Sequence, residues 1–166
     1  GSIDTVLLAI TDMQGRLQRE RVAADHVVRH AAEHAAEACD YLLAVDVDMD
    51  TVGNFASSSW DTGYGDFELR PDLSTLRVVP WHRSTAFCMA DIAVHGGAPV
   101  EVSPRRILQR QLQRLAGHGW HANAATELEF ILFEDSYEQA WDCGYRGLKP
   151  ANRYNVDYSL LGTSRV

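Results

Sequence analysis

The segment Thr126-Glu127-Leu128-Glu129-Phe130-Ile131-Leu132-Phe133 sets two carboxylates two residues apart inside an apolar run. Such a run reads as a strand, and a strand sends residues i and i+2 to one face. Glu127 and Glu129 then point the same way, in the company of Ile131 and Phe133. Two carboxylates on a largely apolar face repel each other and lose hydration unless a cation or hydrogen-bond donors satisfy them. Hard divalent cations such as Mg²⁺ or Mn²⁺ prefer carboxylate oxygens, so paired ligands for such an ion are the chemistry expected here. Taken alone, the spacing also fits a polar strand edge, and only a second signal decides.

Other polar groupings carry less. His26, His30 and His34 lie four apart on a predicted helix and share one side of it. Such a row can ligate a transition metal, but no carboxylate or cysteine completes the shell, so a solvated face is expected. Asp46, Asp48 and Asp50 alternate along a predicted strand. They form either an acidic wall that attracts a polyamine or a solvated sheet face. A calcium loop is excluded, because its sixth and twelfth positions need Gly and Glu and hold Thr51 and Ser57. Cys39, Cys88 and Cys143 are odd in number and widely spaced. They make neither a disulfide framework nor a zinc pattern, and buried thiols in a reducing compartment are expected.

The elements that must position these groups follow from periodicity and turn chemistry. Thr5 to Asp12 reads as a strand and Arg16 to Val22 as its edge partner, joined by a turn at Met13-Gln14-Gly15. Asp25 is a candidate N-cap for a helix from His26 to Cys39. Tyr41 to Asp50 reads as the next strand, and a Ser- and Gly-rich loop runs from Val52 to Gly65. Strands are expected near Arg77–Val79 and Ala86–Ile92, then a Gly96-Gly97 turn before Pro99–Val102. Ser103-Pro104 opens a second helix whose Ile107, Leu108, Leu112 and Leu115 form one apolar stripe. Gly117 and Gly119 end it, and the Glu127–Glu129 strand follows. A domain boundary is expected near Val102, giving domains 1–102 and 103–166.

Charge and composition narrow the class. The 166 residues carry a net charge of −8, which argues against nucleic acid as a partner and suits cationic amines. With 46% apolar residues the chain has ample material for a core. No apolar run approaches a membrane span and no signal peptide is recognised, so a soluble cytoplasmic protein is expected.

The second signal for the carboxylate pair is a pattern. Asp66, Pro71-Asp72, Ser74-Thr75 and Pro80-Trp81 stand in order, followed by the helix opened by Ser103-Pro104-Arg105 and then by Glu127-x-Glu129-Phe130. From Val6 to about Tyr158 this resembles the glutamine synthetase family. The wording is most similar to its γ-glutamyl-amine ligase branch at Leu42–Met49, at Trp60-Asp61-Thr62-Gly63-Tyr64-Gly65-Asp66 and at Tyr154-Asn155-Val156-Asp157-Tyr158.

The resemblance implies an α+β chain: a β-grasp N-terminal domain, then the start of a glutamine synthetase-type catalytic domain. It implies phosphoryl transfer from ATP to the γ-carboxylate of glutamate, then attack by an amine. Glu127 and Glu129 become ligands of one divalent ion each. Ser58 and Ser59 become substrate-binding and Trp60 cofactor-binding, in a loop that reaches a neighbouring subunit's site within a ring-shaped homo-oligomer. No residue here takes the role of acid, base or nucleophile. The remaining metal ligands and the nucleotide site of the family lie downstream, so the chain is expected to be an N-terminal portion, inactive alone.

Two departures matter. Ammonium-using members carry an aspartate in the loop where this chain reads Asn54-Phe55-Ala56-Ser57-Ser58-Ser59. Its absence favours a polyamine or ethanolamine over ammonium, unless Asp50 or Asp61 substitutes. Arg19-Glu20-Arg21 replaces a Gly-Lys-Arg common in the branch, which bears on a subunit contact. The rivals are an ammonium-using glutamine synthetase and, in another class, a non-catalytic β-grasp interaction module.

Overall fold

The computed structural model describes residues 2–30, 35–55 and 63–152. The backbone forms two compact units, Gly1–Ala122 and Asn123–Val166. The first holds a six-stranded mixed sheet. Strand β1 (Thr5–Thr11) and strand β2 (Leu17–Ala23) make the expected antiparallel hairpin, in register from Thr5↔Ala23 to Thr11↔Leu17. Helix α1 (Ala24–His30) follows, then β3 (Ala36–Cys39), β4 (Asp66–Pro71), β5 (Arg77–Val78) and β6 (Thr85–Ala93). The sheet order is β2-β1-β6-β4-β3, with β5 paired to β6. The β1–β6 pairing is parallel and the others are antiparallel.

Burial explains the order. β1 is buried on both faces, because Val6, Leu7, Leu8, Ala9 and Ile10 are each at most 4% exposed. An apolar run of that kind belongs inside a sheet, not at its edge. One face packs Val6, Leu8 and Ile10 with Val27 of α1, Phe67 and Leu69 of β4, and Cys88, Ala90 and Ile92 of β6. β2 is mostly exposed, with only Gln18 and Val22 half-buried, as befits an edge strand. Arg19, Glu20 and Arg21 lie there, all exposed.

Two sequence expectations fail within this unit, and one strand was unforeseen. The helix predicted to reach Cys39 is described over Ala24–His30, and Ala36–Cys39 is not helical but pairs antiparallel with β4, Ala36 opposite Leu69 and Cys39 opposite Asp66. Sheet pairing outweighs the helical preference of an Ala- and Glu-rich segment, which amounts to only tenths of a kcal/mol per residue. The strand predicted at Tyr41–Asp50 is a 3₁₀ turn over Asp40–Leu43 followed by a tight loop. There the Asp46 Oδ1 accepts from the backbone N–H of Asp48 at 2.9 Å and of Asp50 at 3.0 Å. Aspartate offers its own backbone this alternative to a ladder, so the alternating acids do not share a strand face. Strand β4 was unforeseen, although Phe67 and Leu69 alternate inward from it.

The Gly96-Gly97 turn is where a glycine is required. Gly97 has φ +89°, and a Cβ there would lie 2.6 Å from Nη2 of Arg70. Helix α2 (Pro104–Gly117) starts where Ser103-Pro104 predicts. No residue of it is buried, and the stripe residues Ile107, Leu108 and Leu112 are 43%, 59% and 42% exposed.

The second unit contains helix α3 (Tyr137–Asp142), whose start is a capping box. Ser136 Oγ accepts from Gln139 N–H at 3.2 Å, and Gln139 Oε1 accepts from Ser136 N–H at 2.9 Å. The strand expected over Thr126–Phe133 is not formed. Residues 121–132 have no ladder partner among the described residues, and a strand exists only when its backbone finds one. Pairing begins at Phe133↔Pro150, beside Ala151 N–H donating to Leu132 O at 2.8 Å.

Leu8→Ala, at a fully buried position, is expected to cost about 3 kcal/mol, read as a lower urea midpoint. Gly97→Ala is expected to cost more than about 1 kcal/mol through its positive φ and the Arg70 clash. Gly53→Ala, with nothing within 4 Å, should stay within about 0.5 kcal/mol of the parent in the same titration.

Candidate functional site

Two polar clamps stand out in the first unit, and the second unit holds the carboxylate pair. The first clamp begins at Asp12, the residue after β1, which is 1% exposed. Its Oδ1 accepts from the backbone N–H of Gln14 at 3.0 Å and of Arg16 at 2.8 Å. Its Oδ2 accepts from Arg16 Nε at 2.7 Å and Gln18 Nε2 at 2.9 Å. Burial alone would raise its pKa, but these four donors together hold the carboxyl below its ordinary value. Arg16 then reaches the acidic turn: Nη1 donates to Val47 O and Nη2 to Asp46 O, each at 2.7 Å. Gln14 Nε2 donates to Val45 O at 2.8 Å. The hairpin turn thus fixes where Asp46, Asp48 and Asp50 stand.

The second clamp joins residues that carried the family resemblance. Asp72 caps the 3₁₀ turn Leu73–Thr75, its Oδ1 accepting from Ser74 N–H at 3.1 Å and Ser74 Oγ at 2.6 Å. The Ser74 hydroxyl first, then the Ser74 N–H and the Arg105 guanidinium, hold its carboxyl below the usual range. Thr75 Oγ1 donates to Asp72 O at 2.7 Å and accepts from Met89 N–H at 2.9 Å, fastening the turn to β6. Arg105 of α2 forks between Asp72 Oδ2 and, at 2.8 Å, Asp91 Oδ1. Gln109 Nε2 adds a bond to the same Asp91 oxygen at 2.9 Å. The Pro71-Asp72, Ser74-Thr75 and Ser103-Pro104-Arg105 motifs therefore meet as one structural joint. Cys88 beside it is fully buried, and burial pushes its thiol up, away from the reactive thiolate.

Glu127 and Glu129 lie in exposed backbone without regular structure, with Leu128 83% and Phe130 68% exposed, not on the apolar strand face expected. Their oxygens suit a hard cation, but among the described residues no cluster of three His, Cys, Asp or Glu is grouped to enclose one. Ser58, Ser59 and Trp60 lie outside the described residues, as does His34. The His26 and His30 rings sit 4.4 Å apart on α1. Sequence reasoning passed over Asp12 and Arg16, and the Ser136–Gln139 capping box, whose Ser-x-x-Gln spacing was readable. No helix among the described residues is long and apolar enough to cross a membrane.

Motif order, the joint they form and the mixed sheet converge on one class: this chain belongs to the glutamine synthetase family. The family described as "Glutamine synthetase, catalytic domain" matches residues 101–161, the stretch that opens at α2 and holds Glu127 and Glu129. Over its whole length the chain is 61% identical to a γ-glutamylethanolamide synthetase of Streptomyces coelicolor, covering 36% of that protein. Over 96% of its length it is 33% identical to a glutamate–isopropylamine ligase of a Pseudomonas species, covering 35% of it. The chain thus spans about a third of the length of these curated relatives. The ADP complex of a protein called GmaS shares the fold at TM-score 0.52 and 26% identity, over 70% of this chain and 24% of that one. A novel glutamine synthase homolog shares it at TM-score 0.57 and 17% identity, over 71% and 28%.

Asp12 gives a pH prediction with a definite sign. A carboxyl whose folded pKa is lowered contributes stability above its unfolded value of about 3.9, and loses it as pH falls through the folded value. Asp12→Asn should therefore cost about 1–3 kcal/mol at pH 7 and flatten the loss of stability below about pH 4. Urea unfolding of both proteins across pH 2.5–7 reads this directly, and parallel acid limbs would exclude it.

Proposed function

We propose that this chain is part of an ATP-dependent ligase that joins the γ-carboxylate of glutamate to an amine, with ethanolamine or a polyamine favoured over ammonium. The observation that carries the reading is 61% identity along the entire chain to a γ-glutamylethanolamide synthetase. The missing loop aspartate supports an organic amine, since a bulkier amine needs the room and brings its own cation to an acidic protein of net charge −8.

In this reading residues 1–102 form a β-grasp domain and residues 103–166 the start of the catalytic domain. Support comes from the β1–β2 hairpin, the helix after it and the parallel β1–β6 pair at the centre of the sheet. Glu127 and Glu129 would each hold one divalent cation, Mg²⁺ or Mn²⁺, once backbone partners order their segment as a strand. Cations held there would supply charge neutralisation to the transferring phosphoryl group. A γ-carboxylate oxygen of glutamate attacks the γ-phosphorus of ATP and ADP leaves. The amine nitrogen then attacks the acyl carbon, phosphate departs and the nitrogen sheds its proton. Ser58 and Ser59 would contact the substrate and Trp60 the nucleotide, at the seam between subunits of a cytoplasmic ring.

In the intact enzyme, Glu127→Ala and Glu129→Ala are each expected to lower metal-dependent turnover by more than about 100-fold. Near-normal turnover in either would remove that residue from the metal site. Steady-state kinetics with ethanolamine, putrescine, spermidine, isopropylamine and ammonium should give the highest kcat/KM for an organic amine. Ammonium ranking first would return the protein to the ordinary glutamine synthetases.

A further inference from the structure

Helix α1 carries a histidine pair that the ligase reading leaves without a role. His26 and His30 stand four apart, so both project from one side of the helix. The sequence predicts a solvated face there, and the structure departs from it. Both residues are half-buried, and their ring centroids lie 4.4 Å apart with the planes tilted by 33°.

The backbone under the pair is held from two sides. Val27, which follows the first histidine, is 2% exposed and packs into the core with Val6, Leu8 and Ile10. The Ala24 N–H donates to Asp4 O at 2.9 Å, which ties the start of the helix to the residue before β1. Asp25, the carboxylate next to His26 in sequence, is engaged by Arg29 Nη2 at 2.8 Å. Two imidazoles are thus brought together on a fixed frame, so a ligand that bridges them has little backbone freedom to remove.

Geometry and ligand chemistry decide what the pair can hold. An imidazole nitrogen lies about 2.0–2.1 Å from a bound transition ion, so two rings in adjacent coordination positions set their centroids about 4.5–5 Å apart. The observed 4.4 Å comes to that range by a small opening of the two side chains. Imidazole suits Cu²⁺, Ni²⁺ and Zn²⁺, whereas Mg²⁺ and Ca²⁺ prefer oxygen ligands. Among the described residues no cluster of three His, Cys, Asp or Glu is present, so water takes the other positions. Zinc sites ordinarily use three or four protein ligands, while affinity at a given nitrogen site peaks at Cu²⁺.

We propose that His26 and His30 form a two-imidazole chelate site for a divalent transition-metal ion, Cu²⁺ ahead of Ni²⁺ or Zn²⁺. The site does not depend on the ligase reading. It lies in the sheet unit, whereas Glu127 and Glu129 lie in the other unit and offer oxygens to a harder ion.

The test is a titration of the full chain with copper(II) chloride, followed in long-range ¹H–¹⁵N spectra of the histidine rings. The expected result is saturable paramagnetic loss of the His26 and His30 ring signals ahead of those of His82, His95, His118 and His121. A millimolar excess of Mg²⁺ should not restore them. His26→Gln and His30→Gln place a good helix former at half-buried positions. Each should weaken copper binding about tenfold or more, because one imidazole of two is lost. Copper should also raise the urea midpoint of the parent and leave that of the variants in place. The parent titration decides on its own, whatever the stability of the variants. First loss at any of the other four rings, absence of saturation, recovery with Mg²⁺, or unchanged affinity in either variant overturns the site.

Discussion

The parallel pairing of β1 with β6 is the constraint on which the rest of the sheet unit hangs. It sets Thr5 beside Thr85 and Ala9 beside Met89, across some eighty residues of chain. Closing so long a loop is unfavourable until many apolar groups are removed from water together. Here Leu8 and Cys88, partners in that register, are both fully buried. Once β6 is in place, its N-terminal half takes β5 on its other side and its C-terminal half takes β4, which in turn takes β3. One long strand organises three neighbours, and β3 follows through β4.

Polar clamps then fix what the sheet leaves loose. Each uses a buried or half-buried aspartate with several donors, so neither carboxylate is left with unmatched charge. Asp12 and Arg16 tie the first hairpin to the acidic turn, and Asp72, Arg105 and Asp91 tie the loop after β4 to α2 and β6. Motifs that look like catalytic signatures in a sequence are, at 71–75 and 103–105, joints. Their spacing is dictated by the distance between a 3₁₀ turn and the first turn of a helix.

Elements built on local rules were legible before any coordinates. The β1–β2 hairpin, β5, β6 and the start of α2 follow from alternation, turn residues and Ser-Pro at a helix start. What escaped depends on partners remote in sequence or on side chains bonding their own backbone. Ala36–Cys39 is a strand because β4 is next to it, and Asp46 folds its segment into a turn because an aspartate can accept from the N–H two residues on. The carboxylate pair was legible by motif order, and its geometry was not. A segment becomes a strand only against another backbone, and among the described residues the one ladder contact near it begins at Phe133.

That segment has a colloidal side as well as a chemical one. Leu128, Phe130, Ile131, Leu132 and Phe133 are all exposed, a six-residue window of the kind that stacks into cross-β assemblies. The charges that interrupt and flank it are Glu127, Glu129 and Glu134. Like charges repeated along a stack repel, so these glutamates act as gatekeepers against self-association whenever the segment lies open. The same side chains would then serve two ends at different stages of the protein's life: keeping nascent or unassembled copies apart, and afterwards holding cations.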